Sequence, residues 1–303
     1  MKRILVTGGT GLVGSQFKDV DYSKIGSNDL NLLEQKSVQK YLQENKFEGI
    51  IHCAARVGGI MGNMTKQGQF FYENVLMNTI LIEEARKAEV QKLICFLSTC
   101  VFPNEVDYPL TIKKIHLGPP HSSNYGYSYA KRMAEVQMRS YNEQYGLNYF
   151  GVIPCNIYGP NDFYNLQDGH VIPSLMHKMY IAKEKKEDLT IWGSGKPLRE
   201  FIFSKDVANL TSLLYENYKG KDPIILSSSE EFSIKEVVEM MVEIFGFKGS
   251  IKFDTSKPEG QFRKPSDSTK IKDMFPSYKF TDMYVGLKES IDWFVENYEN
   301  ARK

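Results

Sequence analysis

Lys2-Arg3-Ile4-Leu5-Val6-Thr7-Gly8-Gly9-Thr10-Gly11-Leu12-Val13-Gly14-Ser15 is the stretch whose reading decides the fold. Its first residues form a short β-branched apolar run, the pattern of a buried strand. Three glycines follow at Gly-x-x-Gly-x-x-Gly spacing, where the chain is expected to turn and open a helix. Strand, glycine turn and helix start make up the dinucleotide fingerprint. Gly8 permits the tight turn, Gly11 lets the backbone approach a pyrophosphate, and Gly14 lets the helix pack on the strand. Gly9, Thr10, Leu12 and Val13 complete the candidate cofactor loop, with amides at the helix start free to bind phosphates.

Outward from that loop, apolar runs alternate with longer amphipathic ones. Glu34 to Asn45 reads as a helix, and Gly49-Ile50-Ile51-His52-Cys53-Ala54-Ala55 as a buried strand ending in small residues. The glycines of Val57-Gly58-Gly59-Ile60 suit a loop closing over a ligand. A helix from about Phe70 to Ala88 leads to the strand Lys92 to Leu97. This alternation predicts an α/β protein with a Rossmann-type doubly wound parallel sheet. Ligands of such sheets sit beyond the carboxyl ends of the strands, where the glycine loop, Ala54, Ala55 and Ser98 all fall.

Past a proline-bearing loop, Tyr127-Ser128-Tyr129-Ala130-Lys131 lies in a helix expected to run to about Tyr145. Residues four apart share a helix face, so Tyr127 and Lys131 project together. An ammonium beside a phenol favours the phenolate, which would let Tyr127 exchange a proton with an alcohol or sugar oxygen. Tyr127, Ala130, Ala134, Met138 and Tyr141 form an apolar stripe that reads as core packing or as a subunit interface. Leu147 to Ile153 is a further strand. Beyond Gly159-Pro160 the alternation fades into Asn-, Asp- and Gly-rich loops, a short helix from Ile172 and a solvated charge run over 183–188. Ser233 followed by Glu236 has capping-box spacing. The expected division is a cofactor domain over 1–157, with segments near 201–228 returning to it, and a smaller α/β substrate domain over 158–303.

The totals narrow the class of function. With 303 residues, 42% hydrophobic and 25% charged, the chain has the composition of an ordinary soluble protein. A formal net charge of +1 gives no electrostatic case for nucleic acid or a membrane surface. Four cysteines without metal-ligand spacing, and a start that leads straight into the glycine loop, predict a reduced, cytoplasmic protein without disulfides or metal.

Several stretches together resemble the extended short-chain dehydrogenase/reductases: the glycine loop, Ser98 after a mid-chain strand, and Tyr127-x-x-x-Lys131. The resemblance is narrowed by His52-x-Ala54-Ala55-x-Val57-Gly58-Gly59, Leu97-Ser98-Thr99-Cys100-Val101-Phe102-Pro103 and Gly118-Pro119-Pro120-His121. Asp168-Gly169-His170-Val171-Ile172-Pro173 and Trp192-Gly193-x-Gly195-x-Pro197-x-Arg199-Glu200-Phe201 extend it over nearly the whole chain. The branch these resemble epimerises and reduces GDP-4-keto sugars.

That resemblance implies conversion of GDP-4-keto-6-deoxy-D-mannose to GDP-L-fucose by C3/C5 epimerisation and then C4 reduction. Ser98, Tyr127 and Lys131 would serve the reduction, and Cys100 and His170 the epimerisation. It implies NADP or NADPH bound by residues 8–14, Asp29, Ala54, Ala55, Leu97, Ser98, Tyr127, Lys131, Pro154, Asn156, Ile157 and His170. The substrate would be held by Asn156, Lys178, Trp192, Arg199, Glu259 and Lys264. Two departures stand out: Thr10 replaces an arginine of bacterial-type relatives, and Glu259 an aspartate. Neutral Ser27 and Asn28 are where an NAD enzyme would place a carboxylate, so the choice of NADPH rests on the resemblance. A homodimer through the Tyr127 helix is implied as well. Two alternatives stay open, a C4 reductase acting only on another GDP-4-keto sugar such as a 6-deoxy-heptose, and a non-catalytic dinucleotide-binding protein.

Overall fold

The computed structural model describes residues 3–18, 21–256 and 261–303. Strands β1 (Ile4–Thr7), β2 (Tyr22–Ile25), β3 (Gly49–His52), β4 (Lys92–Phe96) and β5 (Asn148–Pro154) come from its first half. Helices α1 (Gln35–Asn45), α2 (Ile60–Thr65), α3 (Gln67–Lys87) and α4 (Tyr125–Tyr145) connect them. Short β6 (Asn156–Tyr158) leads into the second half, with α5 (Val171–Lys185), β7 (Leu189–Trp192), β8 (Leu198–Phe203) and α6 (Ser204–Asn217). After these come β9 (Ile224–Leu226), β10 (Glu231–Ser233), α7 (Ile234–Phe245), β11 (Ile251–Asp254), α8 (Thr269–Met274) and α9 (Met283–Glu296).

The main sheet has six strands in the order β2-β1-β3-β4-β5-β9, every pair parallel. Strands leave β1 in both directions, so β1/β3 is the switch point where such sheets bind ligands. Alternate residues divide between two cores. Leu5, Ile50, Leu93 and Cys95 pack with Leu42, Leu81 and Met138 from one layer of helices. Ile4, Val6, Ile51 and Ile94 pack with Val207, Leu210 and Leu214 of α6 on the other face. A sheet covered on both sides explains strands that are apolar throughout rather than alternating.

One expected element is much reduced. After the glycine turn the structure has only a single 3-10 turn, Gly14–Gln16, and Phe17 returns to extended backbone. Phe17 is buried and meets Tyr22 edge-on at 5.1 Å, which draws the chain back onto the sheet. Positions 8–21 are too few for both the glycine turn and a full crossover helix.

In the second half β6, β8 and β10 form a three-stranded sheet, and β7 pairs with β11. Around them α5, α7 and α9 bury Met176, Met179, Val237, Met241, Leu287 and Phe294 in one core. Helix α5 is fifteen residues, not short, and carries Lys183 and Lys185 of the charge run in its last turn, where cations suit the helix dipole. The capping box forms as its spacing implies. Glu236 N donates to Ser233 Oγ at 3.1 Å, and Ser233 N to Glu236 Oε2 at 2.7 Å. Among the described residues no helix is long and apolar enough to cross a membrane, and the four cysteines are free thiols.

Candidate active site

The loops after β1 and β3 meet at the switch point. Gly8 has φ +68°, and a Cβ there would lie 2.8 Å from Ala54 N. One on Gly14 would fall 2.2 Å from Gly8 O, whereas one on Gly11 would touch only Gly8 O, at 3.2 Å. The backbone at Gly11 is therefore open on its outer side, as a pyrophosphate requires. Beneath the loop, Thr7, His52 and Asn78 form a buried chain. The Thr7 hydroxyl lies 2.7 Å from His52 Nδ1, and His52 Nε2 lies 3.0 Å from Asn78 Oδ1. Thr7 Oγ1 also accepts from Ala54 N at 3.3 Å, so this chain ties the two loops together. Burial, helped by the nearby Lys131 charge, pulls the His52 pKa down to about 3. Its ring is a neutral strut.

At the adenosine end Gly9 N donates to Ile25 O at 2.7 Å. Asp29 is exposed, with one carboxylate oxygen accepting from Gly26 N at 2.7 Å. The Thr10 side chain lies against the same turn. A dinucleotide fits this cradle by loop amides and close glycine packing, with one helical turn behind it instead of a long helix.

At the end of β4, Ser98 caps the 3-10 turn Thr99–Val101, its hydroxyl accepting from Cys100 N at 3.2 Å. Tyr127, in the first turn of α4, stands near enough for the Ser98 side chain to lower its pKa slightly. Lys131 is 1% exposed. Its ammonium donates to Phe96 O at 2.6 Å and lies 5.9 Å from the Tyr127 ring centroid. Tyr127, Lys131 and Ser98 are thus brought together, but the electrostatics differ from the sequence expectation. Burial drives the Tyr127 pKa upward and outweighs the lowering by Ser98. Burial also lowers the Lys131 pKa. Taking both groups from water disfavours both charged forms, so Tyr127 is held as a neutral phenol.

Cys100 is half-buried beside them. Asn124, the residue before α4, donates its side-chain amide to Cys100 Sγ at 2.9 Å. The Lys264 ammonium donates to Thr99 O at 2.9 Å, and burial lowers its pKa, opposed by the neighbouring Cys100 and aided by Arg199. Lys264 and Arg199 are therefore at the Cys100 end of the cleft. Burial lowers the Arg199 pKa too. Lys178 and Trp192 form a separate pair, the ammonium 5.1 Å from the centroid of the exposed indole. Asn156 Nδ2 donates to Glu200 O at 2.8 Å, which joins β6 to β8.

His170 immediately precedes α5, and no hydrogen bond among the described residues holds its ring. The ring is solvent-accessible yet walled by protein, and dehydration lowers its pKa. Its loop is braced by Gly59, whose N–H donates to Asp168 O at 2.5 Å. The 57–60 loop thus supports the histidine loop. Leu97 is buried in the core, Pro154 closes β5 and Ile157 is half-buried in β6. Glu259 lies outside the described residues. Asn124 was not singled out from the sequence, although a side chain three residues before Tyr127 and four before Ser128 shares their helix face.

Comparison with known proteins gives the class. The family model described as NAD dependent epimerase/dehydratase family matches residues 4–227, and the chain belongs to that family. Within it, the chain is 45% identical to GDP-L-fucose synthase of Dictyostelium discoideum, over 100% of this chain and 98% of the relative. The crystal structure of a GDP-L-fucose synthetase from Naegleria fowleri bound to NADP superposes with TM-score 0.93 at 38% identity, covering 100% of this chain and 96% of that one. A GDP-mannoheptose C4 reductase from Campylobacter jejuni with NADP bound gives TM-score 0.85 at 26% identity, over 97% and 98% of the two chains.

Proposed function

We propose that this protein converts GDP-4-keto-6-deoxy-D-mannose to GDP-L-fucose, epimerising C3 and C5 and then reducing the C4 ketone. The observation that carries this reading is the gathering of Ser98, Cys100 and Tyr127 at the end of β4, where the Ser98 hydroxyl accepts from the Cys100 amide and its side chain is near enough to act on the Tyr127 phenol. A proton-transfer sulfur and a proton-donating phenol then flank one carbonyl.

The ketone at C4 acidifies the hydrogens on C3 and C5. Cys100 and His170 exchange those protons from opposite faces of the ring, while Ser98 steadies the carbonyl oxygen. The 8–14 loop with Ala54 and Ala55 would hold NADPH, which would supply the hydride for the reduction. Tyr127 donates the proton to the C4 oxygen, and its raised pKa keeps that proton in place until it is needed. Arg199 and Lys264 offer the cations for a diphosphate, and Lys178 with Trp192 a second contact further out. The protein works in the cytoplasm as a homodimer through α3 and α4, which expose Phe71, Tyr72, Met133 and Val136. Its halves divide near 157, with 201–228 belonging to the cofactor side.

Purified protein incubated with the ketosugar and NADPH should oxidise NADPH and yield the L-galacto product. In deuterated water without NADPH it should exchange hydrogen at C3 and C5. The likeness to a C4 reductase supports a second reading, reduction alone. Reduction without exchange would establish that reading, and no turnover of any GDP-4-keto sugar would leave a non-catalytic binding protein.

A further inference from the structure

The turn from 122 to 128 brings one polar side chain onto the sulfur of Cys100 and sets a second behind it. Asn124 sits at the start of α4 and points its amide nitrogen at Sγ, 2.9 Å away. Its amide oxygen accepts from the fully buried Ser128 hydroxyl at 3.2 Å, one helical turn on. Ser128 thereby fixes which end of the amide faces the sulfur. A neutral thiol is a weak acceptor and a thiolate a strong one.

We infer that Asn124, held by Ser128, is a positioning residue that aims the Cys100 sulfur into the cleft by donating a hydrogen bond to it. The inference rests on the reading of Cys100 as an epimerisation residue. In that step the C–H bond at C3 or C5 breaks and an S–H bond forms. The electron pair passes into the C4 carbonyl as an enolate, and a proton returns to carbon from the opposite face. The α4 start would then serve both half-reactions, through Asn124 and Ser128 for one and Tyr127 and Lys131 for the other.

The test compares wild type with Asn124→Ala, Asn124→Asp and Ser128→Ala. Asn124→Asp keeps the shape but turns the donor into an acceptor. Two readouts are needed: deuterium exchange at C3 and C5 against C4 reduction of the already epimerised ketosugar, and the rate of alkylation by iodoacetamide with Cys100→Ser as background. A hydrogen bond to a charged acceptor lost here should slow alkylation at neutral pH about tenfold or more. Exchange should fall about tenfold further than reduction does, and Asn124→Asp should be worse than Asn124→Ala. Unchanged alkylation, or equal falls in exchange and reduction, would overturn the inference. Alkylation needs no sugar, so it reads Asn124 even if wild type shows no exchange and the epimerase reading itself fails.

Discussion

At the scale of single residues, the proposed function makes Tyr127 the group that decides what kind of proton chemistry the cleft performs. A phenol starts near ~10 and is pushed up here by dehydration, with Lys131 too buried to reverse the effect. An acid that delivers a proton to an alkoxide at C4 must arrive protonated, so the direction suits reduction. Tyr127→Phe should therefore lower C4 reduction by roughly 10²–10⁴ while hydrogen exchange at C3 and C5 continues. Cys100→Ser should do the opposite, removing exchange and leaving reduction of an already epimerised substrate measurable. Single-turnover NADPH oxidation beside NMR of the ring protons distinguishes the two. Equal loss of both activities in either variant would contradict the division of labour.

Among elements, what the sequence made legible was whatever depends on short spacing. Strands β1, β3 and β4 announce themselves as apolar runs, and Tyr127 with Lys131 needs only one helical turn to meet. The Ser233 capping box is legible for the same reason, and it anchors α7, which buries Val237, Val238, Met241 and Phe245. Ser233→Ala should cost about 1 kcal/mol and lower Tm by about 1–2 °C in a thermal melt of a chain this long. An unchanged Tm would mean that tertiary packing alone fixes the start of α7. Illegible features depend on where distant chain segments travel. The helix expected to open at Gly14 is reduced to one turn because Phe17 turns inward, which no local pattern reveals. Helix α5 runs on through Lys185 into the stretch the sequence presents as a solvated charge run, because a helix carries charges equally well on its solvent face. The Asn124 amide meets a sulfur 24 positions away, and Lys264 reaches Thr99 across 165. Those meetings are set by the paths of loops that carry no periodic signal.

For the molecule as a whole, two buried titratable groups on different cores oppose each other in setting stability against pH. His52 is fully buried, and its pKa falls from 6.5 to about 3. Between those values the unfolded chain binds the proton and the native state does not, so His52 makes stability rise with pH. Asp162 is 4% exposed, and burial raises its pKa from 3.8 to about 7 against the pull of the Phe163 amide and Arg302. One of its oxygens accepts from Phe163 N at 2.7 Å, and the other is buried with no partner among the described residues, as suits a protonated carboxyl. In its window the native state holds the proton and the unfolded chain does not, so Asp162 makes stability fall as pH rises. Each contributes up to about 1.4 kcal/mol per pH unit, with opposite sign, and the windows overlap across most of the range from pH 4 to 6.5. The parent protein should therefore show little net slope from this pair. Relative to it, Asp162→Asn should steepen the gain in stability on raising pH by about 1.4 kcal/mol per unit, and His52→Gln should tilt the slope as far the other way. Urea unfolding at half-unit pH steps measures these slopes directly. The comparison holds even if either substitution lowers stability at every pH, because only the slope is read. Parallel curves for parent and variants would show that neither group carries its proton as assigned, and the neutral His52 strut under the cofactor loop would have to be abandoned with it.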